Sequence, residues 1–181
     1  MLNLVKNCSN RIKSLFLQTM VKIKHYLLLF CIVGCFAACK KVDVGEVYDP
    51  IPQFKADTTA IRAFVKSNSI SVLKDENTGV FYQIIAPGTG TYVYTATSDI
   101  TVDYSGKLLN GTVFDSSSGT PRTFPLGTLI PGWQIAMPKI QKGGQIRFFV
   151  PSYFGYGNLG QGAVPANAIL DFTVTLNNIA N

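Results

Sequence analysis

The sequence predicts an α+β fold in which strands surround a single short helix. Four segments are short, rich in β-branched or aromatic residues and bounded by turn residues, as strands are: 80–85, 100–108, 144–151 and 169–179. One segment among them, residues 129–140, has apolar residues at helical spacing instead. Strands with one helix between them indicate an α+β arrangement.

Turn and breaker residues mark the elements of this body. Asn110-Gly111 predicts a hairpin that leads into the segment TVFD. In the helical segment, Pro131 suits the first turn of a helix and Pro138 ends it. Three apolar residues spaced three or four apart then share one face of that helix: Ile130, Trp133 and Met137.

A shorter helix is expected ahead of the sheet. Residues 40–56 mix charges with Gly and Pro and show no periodicity, so we expect a tether there. Asp57 is suited to cap the N-terminus of a helix that follows it. The apolar face of this helix would consist of Ile61, Phe64 and Val65.

Composition and charge exclude several classes of protein. Hydrophobic residues make up 47% of the 181 residues and charged residues 14%, which is enough for a packed core. The formal net charge is +6, but residues 1–38 hold five of the 16 Lys and Arg residues and no acid. Residues 39–181 therefore carry a net charge of about +1. Because they have no Lys/Arg cluster interleaved with aromatics, we expect no nucleic-acid partner.

The reactive side chains are confined to the N-terminal part of the chain. All four cysteines lie within the first 39 residues, and the only histidine is His25. The remainder therefore has no disulfide, thiol nucleophile, Cys-based zinc site or Ser-His-Asp triad. Any activity must rely on Tyr, Asp, backbone groups and shape, and we predict no metal site.

The N-terminal part resembles a bacterial lipoprotein signal. Basic residues precede a 13-residue apolar run, residues 26–38, which is too short for the roughly 20 residues of a membrane span. The run ends in FAAC and charges follow, so we expect cleavage before Cys39 and acylation of that residue. Cys35, after IVG, is an alternative acceptor, and an ordinary secretory signal is a second alternative.

These features divide the chain into four parts. We expect a signal peptide that is removed (1–38), a lipidated tether (39–56), a helical lead-in (57–78) and the main domain (79–181). The protein would be lipid-anchored in the cell envelope, at the outer membrane of a diderm bacterium. A triacylated cysteine holds more firmly than a single myristoyl chain.

One motif is misleading. GYGNLG, residues 155–160, has the spacing G-x-G-x-x-G of a dinucleotide-binding turn. Such a site needs a helix directly after the glycines, whereas QGAVPAN follows here and predicts a loop. We therefore expect no dinucleotide cofactor.

Four segments occur in this order within residues 79–181: VDYSGKLLNGTVFDSS, FPLGTLIPGW, VPSYFGYG and VPANAILDFTVTL. Taken together, they resemble the FKBP-type peptidyl-prolyl cis-trans isomerases. The resemblance implies a bent antiparallel β-sheet wrapped around one short central helix. It also implies rotation of X-Pro bonds in proline-containing polypeptides, without metal or cofactor, and possible inhibition by macrolides.

The resemblance implies a pocket with assigned roles. Asp115, Tyr156 and Tyr104 would be catalytic. Asp115 would accept from the Tyr104 hydroxyl, could pair with Arg122, and would act on the twisting amide electrostatically. The Ile130 N–H and the Tyr156 hydroxyl would bind substrate carbonyls. Six residues would bind substrate, with Trp133 as the floor: Phe114, Leu129, Ile130, Trp133, Val164 and Phe172.

Other interpretations of these residues stay open. Asp115 followed by two serines is also ordinary turn chemistry. Without the resemblance, Trp133 and Phe172 would be taken as core residues, and Phe124 is expected to support the core. Arg122 stands where many members have an aromatic pocket wall, and Ala163 where a larger aliphatic residue is common.

The resemblance and the N-terminal signal together lead to three hypotheses about function. The first is an isomerase that assists folding of envelope proteins by desolvating and twisting the X-Pro amide in an aromatic pocket. The second, favoured by Arg122 and Ala163, is a catalytically weak binding or chaperone module anchored to a membrane. The third is a structural lipoprotein whose lead-in helix forms dimers.

Overall fold

In the computed structural model, which describes residues 48–181, an antiparallel sheet carries helices on both faces. The elements are helix α1 (Pro50–Ser67), strands β1 (Leu73–Lys74), β2 (Phe81–Ala86), β3 (Asp99–Leu108), β4 (Val113–Ser116) and β5 (Arg122–Pro125), helix α2 (Pro131–Ala136), and strands β6 (Gln145–Val150) and β7 (Leu170–Ala180). The strand order is β1-β2-β6-β7-β3-β4, with β5 paired to β3. Every one of these strand pairs is antiparallel.

Short 3-10 helices connect these elements at three places: Leu126–Thr128, Met137–Lys139 and Ser152–Phe154. Helix α2 ends at Ala136, and Pro138 lies in the 3-10 turn that follows it. The expected α+β fold, with strands around a central helix, is confirmed. Among residues 48–181, no helix combines the length and apolarity that a membrane crossing requires.

The main core lies between the sheet and α2. Trp133, Ala136 and Met137 are buried there against strand residues such as Ile146 and Val174. Helix α2 sits close to β6, because a Cβ added at Gly132 would come within 2.5 Å of a Val150 methyl group. Only glycine at this position lets the helix backbone approach the strand so closely.

A second core forms on the opposite face of the sheet, where α1 packs. Ile61 and Val65 are buried there with Phe81 and Phe149, and the Phe64 ring lies 5.8 Å from that of Phe149. Successive strand residues point to opposite faces. Strand β6 therefore gives Phe148 to the core under α2 and Phe149 to the core under α1.

The prediction that a tether extends to residue 56 and a helix starts at Asp57 is wrong. Helix α1 begins at Pro50, and Asp49 caps it by accepting from the Ile51 N–H at 3.0 Å. Proline is tolerated in a first helical turn because the N–H groups there have no intrahelical partner. Residues 68–78 form turns and β1 rather than helix. The expected tether at residues 39–47 lies outside the described residues.

The connection from β1 to β2 is held by a charged contact. Lys139 Nζ lies 2.8 Å from Asp75 Oδ2, and Thr78 donates its N–H and hydroxyl to Asp75 Oδ1. The hydrogen bond from Lys139 and those from Thr78 lower the pKa of Asp75 to about 2, from an ordinary 3.8.

This contact predicts a stability that depends on pH. A depressed folded-state pKa stabilises the protein above the unfolded value, and the effect is lost as pH falls through the folded value. We expect Asp75→Asn to lower the free energy of unfolding by on the order of 1 kcal/mol above about pH 5, and by little near pH 2. Urea denaturation across this range measures it. Glu76→Gln, at a side chain 85% exposed, is the control, and an equal pH profile for both variants would contradict the assignment.

Candidate active site

A cavity of about 330 Å³ opens beside α2, between the start of that helix and strands β3, β4 and β7. Its lining combines aromatic rings with a few polar groups, as ligand sites commonly do. The lining residues are Tyr104, Phe114, Asp115, Arg122, Phe124, Thr128, Leu129, Ile130, Trp133, Tyr156, Gln161 and Phe172.

The floor of the cavity is the indole of Trp133. It is 4% exposed and meets two rings edge-on, with centroid distances of 5.5 Å to Tyr104 and 5.3 Å to Phe172. Beneath it, Phe148 lies 5.8 Å away and stacks on Phe172. Edge-to-face contacts of this kind stabilise by about 0.5–1.5 kcal/mol beyond area burial. The indole is therefore fixed before any ligand arrives.

One glycine makes the adjoining wall possible. A Cβ at Gly106 would lie 2.7 Å from Phe114 Cζ and 2.7 Å from Phe172 Cε1. The rings of Phe114 and Phe172 fill this space and meet edge-on at 5.5 Å. Gly106 pairs with Phe172 across β3 and β7 and with Asp115 across β3 and β4. Phe172 of the aromatic wall and the Asp115 carboxylate therefore lie on either side of the same residue of β3.

A polar group lies at the rim of this aromatic surface. The Tyr104 hydroxyl donates to Asp115 Oδ2 at 2.8 Å, and Arg122 Nη1 donates to the same hydroxyl at 3.3 Å. Arg122 Nη1 is 3.9 Å from Asp115 Oδ1, and both side chains are about half exposed. An exposed ion pair adds little stability. The contacts instead orient the Asp115 carboxylate, which stays hydrogen-bonded to the Tyr104 hydroxyl.

Both rim tyrosines stay protonated in the neutral range. Burial raises the pKa of Tyr104 to about 12, and its hydrogen bond to Asp115 acts in the same direction. Burial also raises the pKa of Tyr156, with a further contribution from the negative charge of Asp115. Within residues 48–181, the Ile130 N–H has no hydrogen-bond acceptor. The Ile130 N–H and the Tyr156 hydroxyl are thus donors at the cavity.

The structure brings together most of the residues predicted from the sequence. Eight of the nine pocket residues line the cavity, and Val164 does not. Val164 is 5% exposed, packs in the main core and bridges to Gln161 through backbone hydrogen bonds. Val164 thus lies in the core next to Gln161, which lines the cavity, and its role in enclosing a substrate ring stays a prediction. Cys39 lies outside the described residues.

Some lining residues were missed. Phe124, expected to support the core, lies on the cavity wall with its ring 6.1 Å from that of Tyr104. Gln161 and Thr128 also line the cavity, and no sequence motif predicted them. Gln161 stands between Gly160 and Gly162, both at positive φ. Two such glycines mark a tight turn, which is the one hint that this side chain is placed by backbone geometry.

A second groove does not have this chemistry. It encloses about 280 Å³ beside the start of α1, and its lining residues, none of them charged, are Pro50, Ile51, Phe54, Asn77, Thr78, Tyr153 and Phe154.

In the described part of the chain, no three His, Cys, Asp or Glu side chains are grouped as metal ligands. Residues 161–167 form turns and a bridge, so the glycine motif at residues 155–160 is not followed by a helix.

Comparison with known proteins identifies the same region. Residues 92–177 match the model of the FKBP-type peptidyl-prolyl cis-trans isomerase family. FKBP-type peptidyl-prolyl cis-trans isomerase FkpA of Aeromonas hydrophila is 43% identical over 106 residues, 58% of this chain and 39% of that protein. Peptidyl-prolyl cis-trans isomerase Mip of Coxiella burnetii is 39% identical over 119 residues, 64% and 51% of the two chains.

A solved structure has the same fold. The crystal structure of FkpA from Escherichia coli superimposes with a TM-score of 0.61 at 26% identity, covering 87% of this chain and 71% of that one. The chain spans about half or less of the length of the curated relatives it matches.

The buried Tyr104 hydroxyl gives a testable ionisation. We expect Tyr104→Phe to leave the alkaline absorbance titration of the tyrosines unchanged between pH 9 and 11, because the pKa of Tyr104 is raised to about 12. Absorbance at the tyrosinate band measures this. A loss of amplitude within that range in the variant would show that Tyr104 ionises as an exposed tyrosine does.

Proposed function

We propose that the chain isomerises X-Pro bonds in polypeptides, because residues 92–177 match the model of the FKBP-type peptidyl-prolyl cis-trans isomerase family. The observation that carries the proposal is the cavity itself. Its floor is a fixed indole, its walls are aromatic, and hydrogen-bond donors stand at its rim. A proline ring and the amide before it fit this chemistry.

The reaction needs no bond-making group. Rotation about an X-Pro bond is opposed by a barrier of about 18–20 kcal/mol, which comes from amide resonance. The twisted amide is less dipolar than the planar amide, so a dry apolar cavity favours the transition state over the ground state. A ~10⁴-fold acceleration requires only about 5–6 kcal/mol of such differential binding.

Each group has a distinct part in this mechanism. Trp133, Phe114 and Phe172 exclude water from the proline ring. The Ile130 N–H and the Tyr156 hydroxyl hold substrate carbonyls. Asp115, oriented by Tyr104, acts on the carbonyl of the twisting amide through its charge rather than through bond formation. Macrolides that fill such a cavity would compete with the substrate.

A binding or chaperone module with weak turnover is the second candidate. The observation that favours it is Arg122, whose half-exposed guanidinium lines the cavity and lies 5.9 Å from the centre of the Tyr104 ring. A charged group retains water and makes the cavity less apolar, which would weaken the differential binding.

We further propose that the substrates are envelope proteins and that the chain is lipid-anchored through Cys39. The support is the N-terminal sequence: two lysines, a 13-residue apolar run and FAAC followed by charges. An anchor would keep the isomerase beside newly exported chains.

The isomerase proposal is tested with a proline tetrapeptide in a protease-coupled or NMR-exchange assay. We expect activity in the wild type. We also expect a tenfold or larger loss of kcat/KM in Trp133→Ala and Asp115→Ala, and about two- to tenfold in Tyr156→Phe, the range for one lost hydrogen bond. Tyr153→Phe removes a hydroxyl three residues away, outside the cavity, and should leave kcat/KM unchanged. A wild type that binds the peptide without accelerating rotation would favour the binding module.

The anchor is tested by labelling cells with radioactive palmitate. We expect label in the wild type and its loss in Cys39→Ser, because the thiol accepts the acyl chain. Cys35→Ser is the matched control and should keep the label. Label that persists in Cys39→Ser but disappears in Cys35→Ser would assign the anchor to Cys35, and an unlabelled wild type would contradict the anchor.

A further inference from the structure

We propose that Asp57, on helix α1, is a positioning residue for Tyr156, so that the lead-in helix is part of the working site. Asp57 lies outside residues 92–177, the segment that the family model matches. The inference rests on the proposed function, because Tyr156 matters here as a substrate-binding hydroxyl.

The first step is a buried contact between the helix and the sheet domain. Asp57 is 2% exposed, and its Oδ2 accepts from the Ser152 N–H at 2.8 Å and from the Ser152 hydroxyl at 2.6 Å. Its Oδ1 accepts from Gln53 Nε2 at 2.6 Å. Within the described residues it forms no ion pair. A buried carboxylate without a cation depends on such donors, so it fixes Ser152 firmly.

The second step leads from Ser152 to the backbone around Tyr156. The Ser152 carbonyl accepts from the N–H groups of Gly155 and Gly157, both at 2.9 Å. These two glycines flank Tyr156 in the sequence. Gly157 has φ +59°, a conformation that side-chain-bearing residues rarely adopt. The turn that presents Tyr156 is therefore tied on both sides to the residue that Asp57 holds.

The third step concerns the support of the same segment by the helix. The Phe54 ring meets the rings of Tyr153 and Phe154 edge-on, at 6.4 Å and 6.1 Å. Two turns further along the helix from Phe54, Ile61 is fully buried in the second core. Helix α1 thus connects that core to the 3-10 turn Ser152–Phe154, and Asp57 stands between the two anchors.

A double-mutant cycle tests whether Asp57 acts through Tyr156. Asp57→Asn keeps the size of the side chain but loses the charge and one acceptor oxygen. In the wild-type background we expect it to lower kcat/KM about two- to tenfold, as Tyr156→Phe does. In the Tyr156→Phe background we expect no further loss, because the positioned hydroxyl is already gone. An equal loss in both backgrounds would overturn the proposal.

Two further variants separate positioning from stability. Ser152→Ala removes the 2.6 Å donor and leaves the Ser152 N–H, so a milder loss of the same kind is expected if Asp57→Asn does not fold. Asp49→Ala removes the N-cap of the same helix without touching Ser152. We expect Asp49→Ala to lower Tm and to leave kcat/KM unchanged; an equal loss of kcat/KM in Asp49→Ala would mean that helix stability alone is responsible.

An activity-independent measurement distinguishes this proposal from the proposed function. With tyrosine rings labelled for NMR, we expect Asp57→Asn to shift or broaden the Tyr156 resonances and to leave those of Tyr104 unchanged. If the wild type were not an isomerase, the proposed function would fail while this shift would still appear. Unmoved Tyr156 resonances in a folded Asp57→Asn protein would refute the positioning role itself.

Discussion

The edge-on packing of Trp133 between Tyr104 and Phe172 is the contact on which the rest of the site depends. It joins helix α2 to the neighbouring strands β3 and β7, and all three rings line the cavity. The same packing requires a residue without a side chain at position 106, since any Cβ there would collide with the rings of Phe114 and Phe172. Core and cavity are therefore one structure, because the rings that hold the sheet to the helix also line the cavity.

The amino-acid sequence predicts the parts of the fold that depend on local chemistry. Alternating apolar residues mark β3 and β7, and two prolines bracket the central helix, so these elements lie where the pattern places them. The short strand β5 has no such pattern, because its four residues gain their conformation by pairing with β3. Most of the site is predictable because its aromatic and carboxylate residues are carried in motifs. Gln161 is not, because a turn between two glycines places it.

Asp57 shows most clearly why local reasoning fails. An aspartate before an apolar run is a common helix cap. Here one carboxylate oxygen accepts from Gln53, one turn earlier, and the other accepts from Ser152, 95 residues away in sequence. The helix starts earlier instead, at a cap provided by Asp49. A single sequence shows which local structure a side chain favours, but not which distant group will form a hydrogen bond with it. Buried polar contacts between separate elements are therefore seldom predicted.

The division of Phe148 and Phe149 between opposite faces of β6 has a practical consequence for protein engineering. A fragment cut to the family-matched segment would lack α1 and β2, leaving Phe149 and the surrounding apolar surface without their cover. We expect such a fragment to self-associate in solution, because a large exposed apolar patch promotes aggregation. Fusion proteins or crystallisation samples made from this chain should keep everything from the first helix onward.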